Sequence, residues 1–243
     1  PFVKDFFNAQ RKYGDEPRVF YDLSDAISSF GPEALVVATP NHLHLEASLA
    51  GARAGLHLLI EKPLHASEEE TDQLVELVRE KGLIALVGYN LRFHPLLGQL
   101  KVMIDGGIVG RVLSATVEVG QNVEDWHPWE DYRDTYAPWK QTGGGSLLCF
   151  SHDIDYLQWL LGVPEHIYAG GGKVTTLEGD AEDLVQGLWK YKDGKTATIH
   201  IDYWQRPKVR LIKIVGDKLT AVWDAYGSLV TYEHTTGRKE VFE

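Results

Sequence analysis

The chain has 243 residues, 44% of them apolar, enough for one large domain or two modest ones around a sizeable core. Its formal charge of -11 is spread along the chain, which argues against the basic patch that nucleic acid requires and against an anionic membrane surface as partner. One cysteine, Cys149, rules out an intrachain disulfide and a cysteine-built metal site and fits a reducing, cytoplasmic compartment; no apolar run approaches the roughly 20 residues of a membrane span.

In chain order, residues 2–13 read as the end of a helix closed by Gly14, and 18–21 as a short strand. Residues 22–30 form a short helix, with Asp22 or Ser24 as N-cap. The run ALVVAT over 34–39 is continuous, apolar and rich in β-branched residues, which predicts a strand buried on both faces. A helix over 42–54 stops at Gly55, and 57–60 is another buried strand. Ser67-x-x-Glu70 is a capping box, opening a helix that runs to Lys81 and ends at Gly82. Residues 83–88 make a third apolar strand. Strands alternating with helices at this spacing predict βαβ units and a parallel sheet.

Near Tyr89 the pattern changes. Residues 95–105 are helical, 111–119 alternate as a strand with one exposed face, and 122–141 are aromatic and polar without periodicity. One helix is predicted from about 144 to 161. Alternating or β-rich runs follow at 167–174, 184–191, 196–203, 210–215, 221–224 and 228–232, separated by turn signals such as Asp193-Gly194. The second part is therefore α+β with a mainly antiparallel sheet, and the domains divide as 1–88 and 89–243.

Ligands in an open α/β sheet bind beyond the carboxyl ends of the strands. Thr39-Pro40-Asn41 follows one strand, Glu61-Lys62-Pro63 the next, and Asn90 with Arg92 the third, so all three groups converge on one crevice. Pro40 and Pro63 either hold the neighbouring backbone rigidly or merely end their strands. A lysine flanked as Lys62 is points into the crevice, where burial lowers its proton affinity and suits a proton relay or polarisation of a hydroxyl. His152 shares a helix face with Asp155 and Tyr156 behind a triple glycine, 143–145. An imidazole there suits removal of a hydroxyl proton at neutral pH. Trp126, His127, Trp129, Tyr132, Arg133, Tyr136 and Trp139 either stack on and grip a ligand or pack the domain junction. Cys149 has nothing electropositive beside it in sequence and reads as a buried, inert thiol. No His/Asp/Glu set has metal-ligand spacing, so no metal is expected.

Four stretches in order carry a family resemblance: Ala38-Thr39-Pro40-Asn41-His42-Leu43-His44; Glu61-Lys62-Pro63-Leu64; Gly88-Tyr89-Asn90-Leu91-Arg92-Phe93-His94-Pro95; and Gly143-Gly144-Gly145 followed by Ser151-His152-Asp153-Ile154-Asp155-Tyr156-Leu157. Together they resemble the glucose–fructose oxidoreductase/inositol dehydrogenase/MocA (Gfo/Idh/MocA) family over essentially the whole chain. Residues 120–136 and the SHDIDYL helix look closest to members associated with surface-polysaccharide sugar biosynthesis. The resemblance implies a partial Rossmann-type NAD(P)-binding domain, 1–88, and a substrate-binding α+β domain with an open antiparallel sheet, 89–243. It implies a homo-oligomer, NAD or NADP as cofactor, and hydride transfer to or from a sugar, polyol or nucleotide sugar. His152 matches the family's catalytic histidine, with Lys62 polarising the reacting oxygen; that Asp155 or Asp153 orients the imidazole in catalysis is a hypothesis from this sequence alone. Thr39, Pro40, Asn41, His44, Glu61, Lys62, Pro63 and Asn90 would meet the cofactor; Lys62, Arg92, Trp129, Arg133 and His152 would meet the substrate.

Two departures stand out. The family usually has an acidic residue four before this histidine, where this chain has Leu148. Its G-x-G-x-x-G fingerprint is absent, and with it the residue that chooses NAD or NADP. A βαβ unit of roughly 30 residues is expected to be missing ahead of Pro1, further helices after the abrupt end at Glu243, and the 243 residues alone are expected to bind dinucleotide poorly. Two other activities remain open on the same scaffold: a hydrolase or lyase that recycles NAD, and a non-catalytic sugar- or nucleotide-binding regulator.

Overall fold

The computed structural model describes residues 18–64 and 68–243. The expected helix over 2–13 and Ser67 of the capping box lie outside the described residues. Among these residues there are two sheets, each with its own apolar core.

The first sheet is parallel, in the order β1 (Ala34–Val37), β2 (His57–Ile60), β3 (Ala85–Val87). Helix α1 (Leu23–Phe30) precedes it. Asp22 caps α1 by accepting a bond from the Asp25 N–H at 3.0 Å, and Gly31 ends it at φ 62°. Helix α2 (His44–Arg53) joins β1 to β2, and α3 (Glu68–Glu80) joins β2 to β3. Val37, Leu58 and Ile60 are buried with Leu45 and Ala52 of α2 and Leu74 of α3. The other face of the sheet carries Val36, Leu59 and Leu86 in register, and they are 65%, 44% and 52% exposed. Burial on both faces is thus corrected: among the described residues only one face is covered, because α2 and α3 pack on the same side. Residues 18–20 join no ladder, which corrects the strand expected at 18–21.

The chain then enters α4 (Pro95–Asp105), with Pro95 at its first position, where a missing N–H costs nothing. The second sheet is ordered β11-β10-β9-β8-β4-β7-β6-β5. Its strands are β4 (Val112–Gly120), β5 (His166–Gly172), β6 (Leu184–Lys190), β7 (Thr196–Asp202), β8 (Val209–Gly216), β9 (Leu219–Asp224), β10 (Leu229–Glu233) and β11 (Lys239–Phe242). All neighbours run antiparallel except β4 and β7. The period-2 pattern sends Val117, Val119, Ile199, Ile201, Ile212 and Ile214 inward against Leu97 and Leu100 of α4 and Tyr156 and Leu157 of the helix that carries His152. Each such side chain contributes about 1.5–3 kcal/mol of burial. Thr116, Glu118, Thr198 and His200 point to the opposite, open face. Strand β11 escaped sequence reading because it is short, half charged and joined to β10 by a turn at Gly237.

The helix expected from 144 to 161 is two helices, α5 (Ser146–Cys149) and α6 (Ser151–Leu161), broken at Phe150. At the break the Asp153 N–H donates to the Phe150 carbonyl rather than to that of Cys149. The Cys149 carbonyl is thereby left for another donor.

Candidate active site

That donor is Lys62. Its Nζ reaches the Cys149 carbonyl at 2.8 Å. The bond joins the turn after β2 to the helix break, so the carboxyl edge of the parallel sheet meets the N-terminus of α6. Lys62 is largely buried, and burial lowers its proton affinity, as does the nearby Arg210; Cys149, Glu61 and Asp153 act in the opposite sense. One of its three N–H donors is engaged by Cys149, which leaves two for a ligand oxygen.

His152, in the first turn of α6, lies close enough to Lys62 to feel its charge. Tyr89, from the turn after β3, meets the imidazole edge-on at 5.7 Å. Burial first, then the charges of Lys62 and Arg210, push the imidazole down to about 4. The ring is therefore neutral at pH 7 and able to accept a proton. Its Nδ1 is buried without a hydrogen-bond partner.

Neither neighbouring carboxylate orients that ring. Both Asp155 oxygens are held by Arg92, from Nε at 2.8 Å and Nη2 at 2.7 Å. Asp155, expected to act in catalysis, is engaged here by a bidentate guanidinium. Arg92 uses two of its guanidinium N–H donors on this pair, and its side chain remains 42% exposed. Asp153 is completely buried and points to β8, where Arg210 Nη2 lies 3.2 Å from its Oδ2. This pair meets the distance for an ion pair without hydrogen-bond alignment, and Arg210 Nε has no partner. Burial raises the Asp153 carboxyl to about 6, although Arg210 opposes the rise.

The turn after β1 is tied to the same region. Asn41 is nearly buried and donates from Nδ2 to the Gly143 carbonyl at 2.8 Å. Gly143 has φ 76°, and a Cβ there would sit 2.7 Å from Asn41 Cβ. A Cβ at Gly144 would strike the Tyr136 and Ala137 carbonyls. These glycines thus serve close approach between protein segments. His44 is 1% exposed. Its Nδ1 faces the Pro63 carbonyl at 2.7 Å and its Nε2 the Thr39 carbonyl at 2.8 Å. The ring of His44, expected to meet the cofactor, lies between the turns after β1 and β2 and straps them together. Thr39, Pro40, Glu61 and Asn90 are exposed on the strand-end edge, while Pro63 is buried.

The aromatic segment divides. Trp126 packs edge-on against Phe150 at 5.4 Å and Tyr203 at 5.2 Å, and Tyr132 and Tyr136 lean on the same core. Trp129 is 78% exposed and stacks on His127. Arg133 pairs with Asp131 and Glu178, and its guanidinium holds the exposed Asp131 carboxyl down to about 2. Cys149 is buried and desolvation pushes its thiol up, as expected of an inert thiol.

Sequence reasoning missed Arg210 and Tyr89. Arg210 had a legible signal: it is the cation in phase with Ile212 and Ile214, so the pleat points it inward. Among the described residues no group of three His, Cys, Asp or Glu side chains is arranged to hold a metal ion, and no helix is long and apolar enough to cross a membrane.

A family model described as the oxidoreductase family, NAD-binding Rossmann fold, matches residues 5–89, and one for the GFO/IDH/MocA C-terminal domain matches residues 97–222. A 2,7-anhydro-N-acetylneuraminate hydratase of Mediterraneibacter gnavus is 30% identical over 185 residues, covering 73% of this chain and 47% of that protein. A levoglucosan dehydrogenase of Pseudarthrobacter phenanthrenivorans is 28% identical over 223 residues, covering 85% and 54%. Among solved structures, the WlbA dehydrogenase from Bordetella pertussis in complex with NADH and UDP-GlcNAcA superposes with a TM-score of 0.80 at 26% identity, covering 91% of this chain and 64% of that one. The chain spans about half the length of these curated relatives. Its two matched regions, in order and over most of its length, make it a member of the GFO/IDH/MocA oxidoreductase family.

Proposed function

We propose that this chain carries the hydride-transfer site of an NAD(P)-dependent oxidoreductase acting on a CH–OH group of a sugar, polyol or nucleotide sugar. The observation that carries this reading is the juxtaposition of Lys62, held by the Cys149 carbonyl, with a buried, neutral His152 at the carboxyl edge of a parallel sheet.

The nicotinamide fits the exposed edge formed by Thr39, Pro40, Glu61 and Asn90, and when bound it supplies or accepts the hydride. Asn41, His44 and Pro63 support that edge from beneath. Lys62 holds the reacting oxygen with its free N–H donors and stabilises negative charge growing there. His152, unprotonated at pH 7, accepts the hydroxyl proton in the oxidative direction and returns it in reduction. Trp129, on the exposed rim, is the ring available to a sugar face. Gly88/Tyr89 is the proposed domain boundary, supported by the two separate cores and by the end of the Rossmann match at residue 89. The open face of the second sheet, where Tyr168 and Leu188 pair across β5 and β6 at 59% and 42% exposure, supports a homo-oligomer, and the lone free thiol of Cys149 fits a cytoplasmic location.

The test mixes the protein with NAD(H) or NADP(H) and a panel of free and nucleotide-linked sugars, following nicotinamide absorbance and product together. Turnover that is lost in Lys62→Ala and in His152→Ala supports the reading. Turnover that survives both substitutions overturns it. The hydratase relative favours a second reading, in which the nicotinamide oxidises and re-reduces one substrate. Product without net nicotinamide change would establish that version.

A further inference from the structure

Both Asp155 oxygens are held by Arg92, and the His152 Nδ1 has no hydrogen-bond partner, so the side chains packed on the first turn of α6 are what hold the ring in place. We propose that Arg210 is the positioning residue of this site: lying over the Phe150 ring and paired with buried Asp153, it clamps the first turn of α6 onto β8 and fixes His152 opposite Lys62. The functional meaning rests on the proposed role of His152, but the geometry does not.

Arg210 projects from the inward face of β8, in phase with Ile212 and Ile214. Its guanidinium lies 5.7 Å over Phe150, the residue at which the helix breaks. Its Nη2 approaches Asp153, the residue after His152. The helix break, the catalytic turn and the sheet are therefore joined through one side chain. An ion pair with both Asp153 oxygens buried and outside hydrogen-bond alignment is a poor device for stability alone. Its location beside an imidazole gives it an electrostatic use.

The groups that face His152 are Lys62 from the turn after β2, Tyr89 from the turn after β3 and Arg210 from β8. Glu61, Cys149 and Asp153 act on the cluster through Lys62, Asp153 also through Arg210, and the buried Tyr156 hydroxyl of the same helix faces Asp153. As pH falls, Asp153 takes its proton near 6, ahead of His152 near 4. Arg210 then faces the imidazole without its counter-ion and resists a second positive charge. The pair thus acts on His152 through Arg210, with Asp153 already neutral when the ring titrates.

The experiment is an NMR titration of the His152 ring in the isotopically labelled protein without substrate, so that its outcome is independent of whether hydride transfer occurs. Arg210→Gln is expected to move the His152 midpoint upward. Arg210→Lys is expected to keep it low by restoring the charge, and Asp153→Asn to leave it in place. A rise of equal size in all three variants would mean that the pair only packs the helix, and would overturn the proposal. So would an unchanged midpoint in a folded Arg210→Gln protein. If Arg210→Gln does not fold, the carboxyl carbon of Asp153 in the unaltered protein decides. Protonation of Asp153 ahead of His152 supports the proposal, and the reverse order defeats it.

Discussion

Holding His152 neutral in the folded protein has a cost that pH exposes. An imidazole free in the unfolded chain titrates near 6.5, whereas in the fold it is pushed down to about 4, mainly by burial. Below 6.5 the unfolded chain therefore binds a proton that the folded chain refuses, and stability falls as pH falls. The contribution is fully present above the unfolded value and is lost progressively as pH drops towards the folded one. Between pH 7.5 and pH 5 the two titration curves imply a loss of about 2 kcal/mol, reduced to roughly 1 kcal/mol because the ring is partly solvent-screened. His152→Gln keeps a polar side chain of similar length and removes this titration. Urea unfolding of both proteins at pH 7.5 and pH 5 isolates the effect, since the remaining titratable groups contribute alike to each and largely cancel. The wild type should lose about 1 kcal/mol more than the variant between the two pH values. Equal losses would mean that His152 is not a buried neutral base, and the reasoning about the site would fail with it.

Other expectations concern the supports of the site. His44→Ala removes the strap between the turns after β1 and β2 and leaves the Thr39 and Pro63 carbonyls facing a void; a loss of about 2–4 kcal/mol is expected in urea unfolding. Gly143→Ala places a Cβ against Asn41 at a positive φ, and a fall of about 1–3 kcal/mol in stability is expected, read by thermal unfolding. Asp155→Asn breaks a half-exposed ion pair with Arg92 and touches no reacting atom; steady-state kinetics should show kcat within about tenfold of wild type, against the 100-fold or larger loss of an acid–base residue.

Much of this arrangement is legible in the residues themselves. The three apolar runs end in Thr39-Pro40-Asn41, Glu61-Lys62-Pro63 and Gly88-Tyr89-Asn90, and a parallel sheet must bring those ends to one edge. The period-2 pattern of β4, β7 and β8 sends Val117, Ile199 and Ile212 into one core. Other features depend on contacts distant in sequence. Nothing local marks Phe150 as a helix break; the break is stabilised by Lys62, 87 residues away, which takes the freed carbonyl of Cys149. Asp155 looks available to His152 on a helical wheel until Arg92 arrives from the turn after β3. The ALVVAT run announces two buried faces, yet Val36 is exposed because α2 and α3 lie on one side. His44 looks like a ligand-facing histidine in sequence, and only the fold turns its two nitrogens onto two carbonyls.

The most direct test of hydride transfer at Lys62 and His152 uses reduced nicotinamide dinucleotide deuterated at the transferring carbon. The measurement is mass and NMR analysis of the sugar product formed by the wild type, with Lys62→Met and His152→Gln run in parallel. Deuterium bonded to the newly formed carbinol carbon, and its loss in both variants, is the result predicted here. Product formed without deuterium at that carbon, or labelled product formed undiminished by both variants, would contradict the account.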